Sequence, residues 1–164
     1  MNSRQFTNVP LIWTPSEHDG KTMKKFKKII EEKYRVKLGG YEDFHKWSVE
    51  NICDFWAELW DFLGVISSRR FDKVVDLSIP MIDSPKWFEG AKLNFTENLL
   101  KYRDDQLALI VEGEATELKT YTFSEMYEET RLYAAAFRKF GLKKGDIVVC
   151  HMSNRREAVL QHKL

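Results

Sequence analysis

The sequence predicts an α/β chain in two parts, a helix-rich segment over residues 1–105 and an α/β segment over residues 106–164. Apolar residues recur at helical spacing through much of the first part. In the second part, two β-prone runs flank a turn, and a helical pattern then leads to a third β-prone run. A strand, a helix and a strand with short connections predict a right-handed crossover unit.

Length and charge exclude several classes of protein. The 164 residues suffice for one ordinary domain with a buried core. Lys and Arg number 26 against 25 Asp and Glu, so no overall field favours nucleic acid or an anionic membrane as a partner. Two cysteines form no disulfide framework, which favours a reducing compartment. The N-terminus lacks the apolar core of a secretion signal, and no apolar run approaches the ~20 residues of a membrane span. We therefore expect a cytosolic protein.

Residues 14–17 carry a helix start signal, with Thr at the cap, Pro in the first turn and Glu at the capping-box position. The apolar stripe that follows, down to about Arg35, consists of Met23, Phe26, Ile29, Ile30 and Tyr34. Gly20 weakens the first turns and favours a later start. The lysines between residues 21 and 28 lie mostly off the stripe, so a solvated face is favoured over a membrane or phosphate partner.

A second helix, rich in tryptophan, is predicted from Ser48 to Gly64 after a short helical turn at Tyr41–Trp47. Its apolar residues cover more than one stripe, which indicates burial on two sides or by a partner chain. Core packing is favoured over a ligand groove. His45 has no second base, nucleophile or metal ligand at a useful spacing, so it is predicted to be a surface histidine. Residues 71–78 are predicted to form a short edge strand.

Residues 83–102, which we call the clasp, are predicted to pin one part of the chain onto another. A proline and a glycine break the periodicity of its first half. Trp87 is predicted to be buried against the core. Asn94 and Glu97 have capping-box spacing and predict a short helix. Composition alone favours a packed loop that carries no chemistry.

The second part of the chain begins with a predicted hairpin of Leu107–Val111 and Leu118–Tyr121. A capping box at Thr122 opens a helix that Gly141 ends. Six side chains of this helix are available for burial: Met126, Leu132, Tyr133, Ala136, Phe137 and Phe140. Ile147–Cys150 is an unbroken β-prone run, as in a strand covered on both faces of a parallel sheet.

The clasp residues that point to a known family are Trp87, Phe88, Gly90, Ala91, Leu93, Asn94 and Glu97 to Leu100. They resemble the segment preceding the AMP-binding core of the acetyl-CoA-synthetase-like, adenylate-forming acyl-CoA ligases. Upstream, residues 10–16, 44–51 and 55–62 resemble the acetoacetyl-CoA synthetase branch of that family. Residues 120–123 and 135–148 resemble the start of the AMP-binding domain. The resemblance extends to about Val159.

This resemblance implies that residues 1–105 are the N-terminal extension of an acyl-CoA synthetase and residues 106–164 the truncated start of its AMP-binding domain. It also implies a full-length cytosolic enzyme that joins acetoacetate to coenzyme A with ATP and Mg²⁺. Two alternatives stay open: the N-terminal part of an acetyl- or propionyl-CoA synthetase, and a non-catalytic interaction fragment that uses exposed aromatic surface. A capped helix is predicted from Asn154. The final Gln161–Leu164 departs from the family pattern, which a truncated product or an alternative transcript end would explain.

The chemical parts of such a ligase are missing from the sequence. There is no Gly-x-x-x-x-Gly-Lys-Ser/Thr loop, no Cys-x-x-Cys or His-Glu-x-x-His pair, and no nucleophile–base set supported by spacing. The Lys143–Asp146 segment is predicted to be a surface turn, since one glycine before an acidic residue makes no phosphate loop. We predict no catalytic, cofactor-binding or metal-binding residue. The chain alone is expected to be inactive and to self-associate.

Overall fold

The computed structural model describes residues 10, 12–14, 16, 19–113, 116–153 and 155–161. The helices are α1 (Lys21–Tyr34), α2 (Tyr41–Glu50), α3 (Ile52–Phe62), α4 (Phe95–Leu99), α5 (Phe123–Lys139) and α6 (Arg156–Gln161), with a 3-10 turn at Met81–Asp83. The strands are β1 (Leu107–Gly113) and β2 (Thr116–Thr122). The predicted mixture of helices and strands is confirmed.

The chain divides into two compact units. The first contains the described residues of Met1–Gly64 and Val74–Pro85, and the second those of Val65–Lys73 and Lys86–Leu164. This division by contacts does not test the predicted domain boundary after residue 105, which stays a prediction.

Helix α1 begins later than the cap signal at Thr14 predicts. Gly20 precedes its first residue with φ 67°, a left-handed conformation that glycine adopts without steric cost and that interrupts a helix. Thr14 is exposed and lies outside any helix. The predicted cap at Thr14 is therefore wrong, and the later start favoured by Gly20 is confirmed. Pro15 and Glu17 lie outside the described residues.

The core of the first unit forms where α1, α2 and α3 meet. Its buried residues are Phe26, Ile30, Leu38, Phe44 and Trp47, with Tyr34, Val36, Phe55, Leu59 and Phe62 packed against them. The Phe26 ring centroid lies 4.9 Å from that of Phe62 and 6.0 Å from that of Phe44. Met23 and Ile29 remain 44% and 39% exposed, so the buried stripe of α1 is narrower than predicted.

The helical break between α2 and α3 falls at Asn51 and not at Ser48. Ser48 lies inside α2, where its hydroxyl donates to the carbonyl of His45 at 2.7 Å. The predicted helix start at Ser48 is therefore wrong, because the apolar pattern runs through the break without a gap. Helix α3 ends just before Gly64, as predicted. Trp60 is buried, whereas Trp56 keeps 38% of its surface exposed.

No regular strand forms over residues 71–78. Val74 and Val75 are both buried, although neighbouring side chains of a strand point to opposite faces. The thiol of Cys53 donates to the carbonyl of Val75 at 3.7 Å. The predicted edge strand is wrong.

The second unit contains the predicted hairpin, in which β1 and β2 pair antiparallel with Ile110 opposite Thr120. The turn residues Glu114 and Ala115 lie outside the described residues. The capping box that opens α5 is confirmed: the Glu125 amide donates to the Thr122 hydroxyl at 3.2 Å, and the Thr122 amide donates to the Glu125 carboxylate at 2.8 Å. Gly141, with φ 91°, follows the end of this helix as predicted.

Helix α5 packs on the hairpin through one face. Met126 is buried together with Leu100, and partly buried neighbours surround them: Ala108, Leu109, Tyr121, Phe123, Tyr127, Tyr133 and Val159. Of the six side chains predicted to be available for burial, Leu132, Ala136 and Phe140 are exposed, and Leu132 and Phe140 keep 58% and 84% of their surface in solvent.

Ile147–Cys150 does not form the predicted strand. Ile147 and Val149 are 90% and 86% exposed. Within the part of the chain that the structure describes, the sheet consists of β1 and β2 alone. A strand requires a neighbouring strand for its N–H and C=O groups, and the β-prone run pairs with neither β1 nor β2. The crossover unit is therefore not completed. Helix α6 confirms the predicted terminal helix, although Asn154 lies outside the described residues.

Tyr34 joins α1 to α3, because its hydroxyl donates to the Glu58 carboxylate at 3.1 Å. Burial, this hydrogen bond and the negative charges of Glu58 and Asp54 all raise the pKa of Tyr34. An unfolded tyrosine titrates at about pH 10. The folded state therefore binds the phenolic proton more tightly, and its stability should fall as the pH rises above about 10.

We expect Tyr34→Phe to reduce this loss of stability above about pH 10, since the variant has no phenolic proton to lose. Urea unfolding between pH 8 and 11 measures the effect, with Tyr41→Phe as the control because Tyr41 is 61% exposed. Parallel pH profiles for the parent and Tyr34→Phe would contradict this assignment.

Candidate functional site

The clasp is fastened to residues 68–73 by main-chain hydrogen bonds. The Lys92 amide donates to the Arg69 carbonyl at 3.0 Å. The Asp72 amide donates to the Glu89 carbonyl at 2.8 Å, and the Glu89 amide returns a bond to the Lys73 carbonyl at 2.9 Å. These pairs form isolated bridges and no continuous ladder. The middle of the clasp therefore pins a preceding segment, as its sequence predicts.

Gly90 makes this close approach sterically feasible. Its φ is +83°, and a Cβ atom added there would lie 2.2 Å from Oδ2 of Asp72. Phe88 also has a positive φ, of 49°, which non-glycine residues adopt at a cost of roughly 1–3 kcal/mol. Its ring lies 5.3 Å from that of Phe71. Local backbone strain is thus concentrated in the clasp.

Asn98 holds the other end of the clasp in place with three hydrogen bonds. Its Oδ1 accepts from the Ile66 amide at 2.8 Å, and its Nδ2 donates to the carbonyls of Ile66 at 2.8 Å and Asn94 at 2.9 Å. The predicted cap of α4 is also present, since the Glu97 amide donates to Oδ1 of Asn94 at 3.0 Å.

Replacing Asn98 should loosen the segment around Ile66. Asn98→Asp keeps the acceptor for the Ile66 amide but removes both donated bonds, whereas Asn98→Ala removes all three. We expect the unfolding free energy to fall by about 1–3 kcal/mol in both variants. We also expect the Ile66 amide to exchange its hydrogen faster in Asn98→Ala than in Asn98→Asp. Equal exchange in the parent and both variants would show that Asn98 does not fix this segment.

The outer face of the clasp is apolar and exposed. Trp87 is 40% exposed, Phe95 68% and Tyr102 59%. The prediction that Trp87 is buried against the core is therefore wrong for this chain. Neighbouring side chains diverge, so the packing of the half-buried Phe88 on Phe71 leaves Trp87 outside.

The groups singled out in the sequence do not converge on a catalytic site. His45 is exposed and stacks on Tyr41 with ring centroids 5.9 Å apart. Neither Cys53 nor Cys150 forms a disulfide. Among the described residues, no group of three or more His, Cys, Asp or Glu side chains is arranged to hold a metal ion. Within the same residues, no helix has the length and apolar character needed to cross a membrane.

In the described part of the chain, no acidic cluster is arranged to hold Mg²⁺, and the turn at Lys143–Asp146 does not form a loop for the phosphates of ATP. The turn at Lys143–Asp146 has its amide donor already engaged, because the Lys143 N–H donates to the Asp146 carboxylate at 2.7 Å. Gly145 supplies the positive φ of that turn, 100°. An amide donor that a phosphate would need is therefore already used by the turn itself. We therefore derive no catalytic step from these residues.

The second unit contains a groove of about 470 Å³ that no sequence pattern predicted. Its walls are Asn94, Thr96, Glu97, Leu100, Arg103, Tyr127, Arg131, Ala134 and Arg138. The four α5 residues recur at intervals of four, three and four, which places them on one helix face. That spacing is visible in the sequence. The position of Arg103, in the loop after α4, is set only by the packing of the loop beside α5.

Comparisons with known proteins agree with the architecture. A family described as the acetyl-coenzyme A synthetase N-terminus matches residues 41–99, which include α2, α3 and most of the clasp. Acetoacetyl-CoA synthetase of Macaca fascicularis is 42% identical over 151 residues, or 91% of this chain. The protein of that name from Rattus norvegicus is 41% identical over 161 residues, or 97% of this chain.

A solved structure that matches this chain also belongs to an acetoacetyl-CoA synthetase. Acetoacetyl-CoA synthetase from Streptomyces lividans superposes with a TM-score of 0.76 and 28% identity, covering 91% of this chain and 24% of that chain. The chain spans 22% and 24% of the lengths of the two mammalian relatives. Over more than nine-tenths of its length the chain is thus similar to acetoacetyl-CoA synthetases, and it corresponds to an N-terminal portion of them.

Proposed function

We propose that this chain is the N-terminal portion of a cytosolic enzyme that joins acetoacetate and coenzyme A, with ATP and Mg²⁺ as cofactors and AMP and pyrophosphate as products. In this proposal residues 1–105 are the N-terminal extension and residues 106–164 the incomplete start of the AMP-binding domain. The supporting observation is the 41% identity to an acetoacetyl-CoA synthetase across 97% of the chain. The 164 residues by themselves are a non-catalytic fragment or short isoform.

The proposal is tested on the full-length protein that would contain this chain. We expect it to exchange pyrophosphate into ATP in the presence of acetoacetate, and more slowly with acetate or propionate at equal concentration. A preference for acetate or propionate would favour the neighbouring acyl-CoA synthetases. A complete product that activates none of the three acids would contradict the proposal.

A second candidate function is a non-catalytic interaction through apolar surface. Trp87, Phe95 and Tyr102 are exposed on the clasp, and Ile147 and Val149 are almost fully exposed. Exposed apolar runs of β-prone residues tend to pair with strands of other chains. We expect the chain to form dimers or larger species at micromolar concentration, measured by light scattering with Ile147→Lys and Val149→Lys together as the dispersing variant. A parent chain that stays monomeric and unfolds cooperatively would contradict self-association.

A further inference from the structure

We infer that the groove between α4 and α5 binds a small soluble anion that carries a phosphate group. The proposal does not depend on the function proposed above, and it stands whether or not the full-length protein activates acetoacetate. The first argument is charge. Three guanidinium groups, of Arg103, Arg131 and Arg138, line one groove whose described walls contain a single carboxylate, of Glu97. Like charges brought together repel one another unless an anion lies between them.

The three arginines are only partly neutralised by the protein. Arg131 pairs with Glu128 through a 2.8 Å contact from Nε, on the exposed surface of α5. The guanidinium carbon of Arg103 lies 3.9 Å from the centre of the Tyr127 ring, a neutral partner that leaves the N–H edge of the arginine available. Arg138 makes no ion pair within the described ranges. Glu97 likewise makes none there, so its carboxylate does not cancel a guanidinium by direct contact.

The chemistry of the groove selects the class of ligand. Guanidinium groups bind phosphate oxygens through paired N–H bonds, which favours phosphate over a simple halide. A phosphate monoester carries about −1.5 to −2 charges at pH 7, which matches the excess of positive charge in the groove. The volume of about 470 Å³ suits a small molecule and not a protein segment. The Glu97 carboxylate can accept a hydrogen bond from a hydroxyl group of such an ester.

Titration of the 164-residue chain with inorganic phosphate tests the site, with Ile147→Lys and Val149→Lys present to keep the chain dispersed, backbone amide shifts recorded by NMR and chloride used to hold the ionic strength constant. We expect saturable shifts at Arg103, Arg131 and Arg138. Arg138→Gln should weaken phosphate binding by about tenfold, the effect of losing one charge-assisted hydrogen bond. Lys139→Gln removes the same charge one position along α5, outside the groove, and should change the affinity by less than about twofold.

Glu97→Gln provides a test whose expected result, tighter phosphate binding, cannot be caused by unfolding of the variant. Removing this negative charge from the described walls of the groove should tighten phosphate binding by at least about twofold. Equal weakening in Arg138→Gln and Lys139→Gln, or phosphate shifts that do not saturate, would overturn the proposal. So would co-sedimentation with vesicles of phosphatidylcholine and phosphatidic acid by a chain that shows no response to inorganic phosphate, because the ligand would then be a lipid headgroup.

Discussion

The purified 164-residue chain should release no pyrophosphate from ATP when acetoacetate, Mg²⁺ and coenzyme A are supplied. Activating a carboxylate with ATP requires groups that position the phosphates and neutralise the charge that develops during transfer. The described residues contain no metal-binding cluster, and the turn at Lys143–Asp146 has its amide occupied by its own aspartate.

A coupled pyrophosphate assay measures this result, with a complete acetoacetyl-CoA synthetase as the positive control. Heat-denatured chain gives the background rate. An acetoacetate-dependent rate above that background would contradict the assignment of the chain as non-catalytic by itself.

Ile30→Ala should lower the unfolding free energy of the first unit by about 2–5 kcal/mol, the range for deleting a large aliphatic side chain from a core. Ile30 is fully buried among Phe26, Phe44 and Trp47. Ile29→Ala removes the same atoms from the neighbouring position, which is 39% exposed, and should cost less than about 1 kcal/mol.

Urea unfolding followed by tryptophan fluorescence compares the two variants, because Trp47 belongs to the same core. An equal loss of unfolding free energy in Ile29→Ala and Ile30→Ala would mean that α1 does not pack on the core through the face that contains Ile30. The pair therefore tests the orientation of the helix as well as its burial.

Local signals in the sequence were predictive because they act over a few residues. The capping box at Thr122 and the cap at Asn94 correctly predicted the starts of α5 and α4. The cap at Thr14 failed because Gly20, with its left-handed φ, interrupts the chain before the helix. The predicted start at Ser48 failed because the apolar pattern hides the break at Asn51.

Features that depend on residues far apart in the sequence could not be predicted from such local signals. Ile147–Cys150 has the composition of a buried strand, yet a strand forms only beside another strand, and this run pairs with neither strand of the described sheet. Trp87 was expected inside, but packing of Phe88 on Phe71 decides which of the two neighbouring rings faces out. The groove was missed for a similar reason, since Arg103 joins Arg131 and Arg138 only after the chain folds.

A chimera tests most directly whether this chain is the N-terminal portion of an acetoacetyl-CoA synthetase. The 161 aligned residues of the Rattus norvegicus relative would be replaced by the matching residues of this chain, which are 41% identical. The control is the same chimera carrying Ile30→Ala, which should be less stable. We predict that the chimera folds and forms acetoacetyl-CoA from acetoacetate, ATP and coenzyme A. A folded chimera that forms none would contradict the assignment.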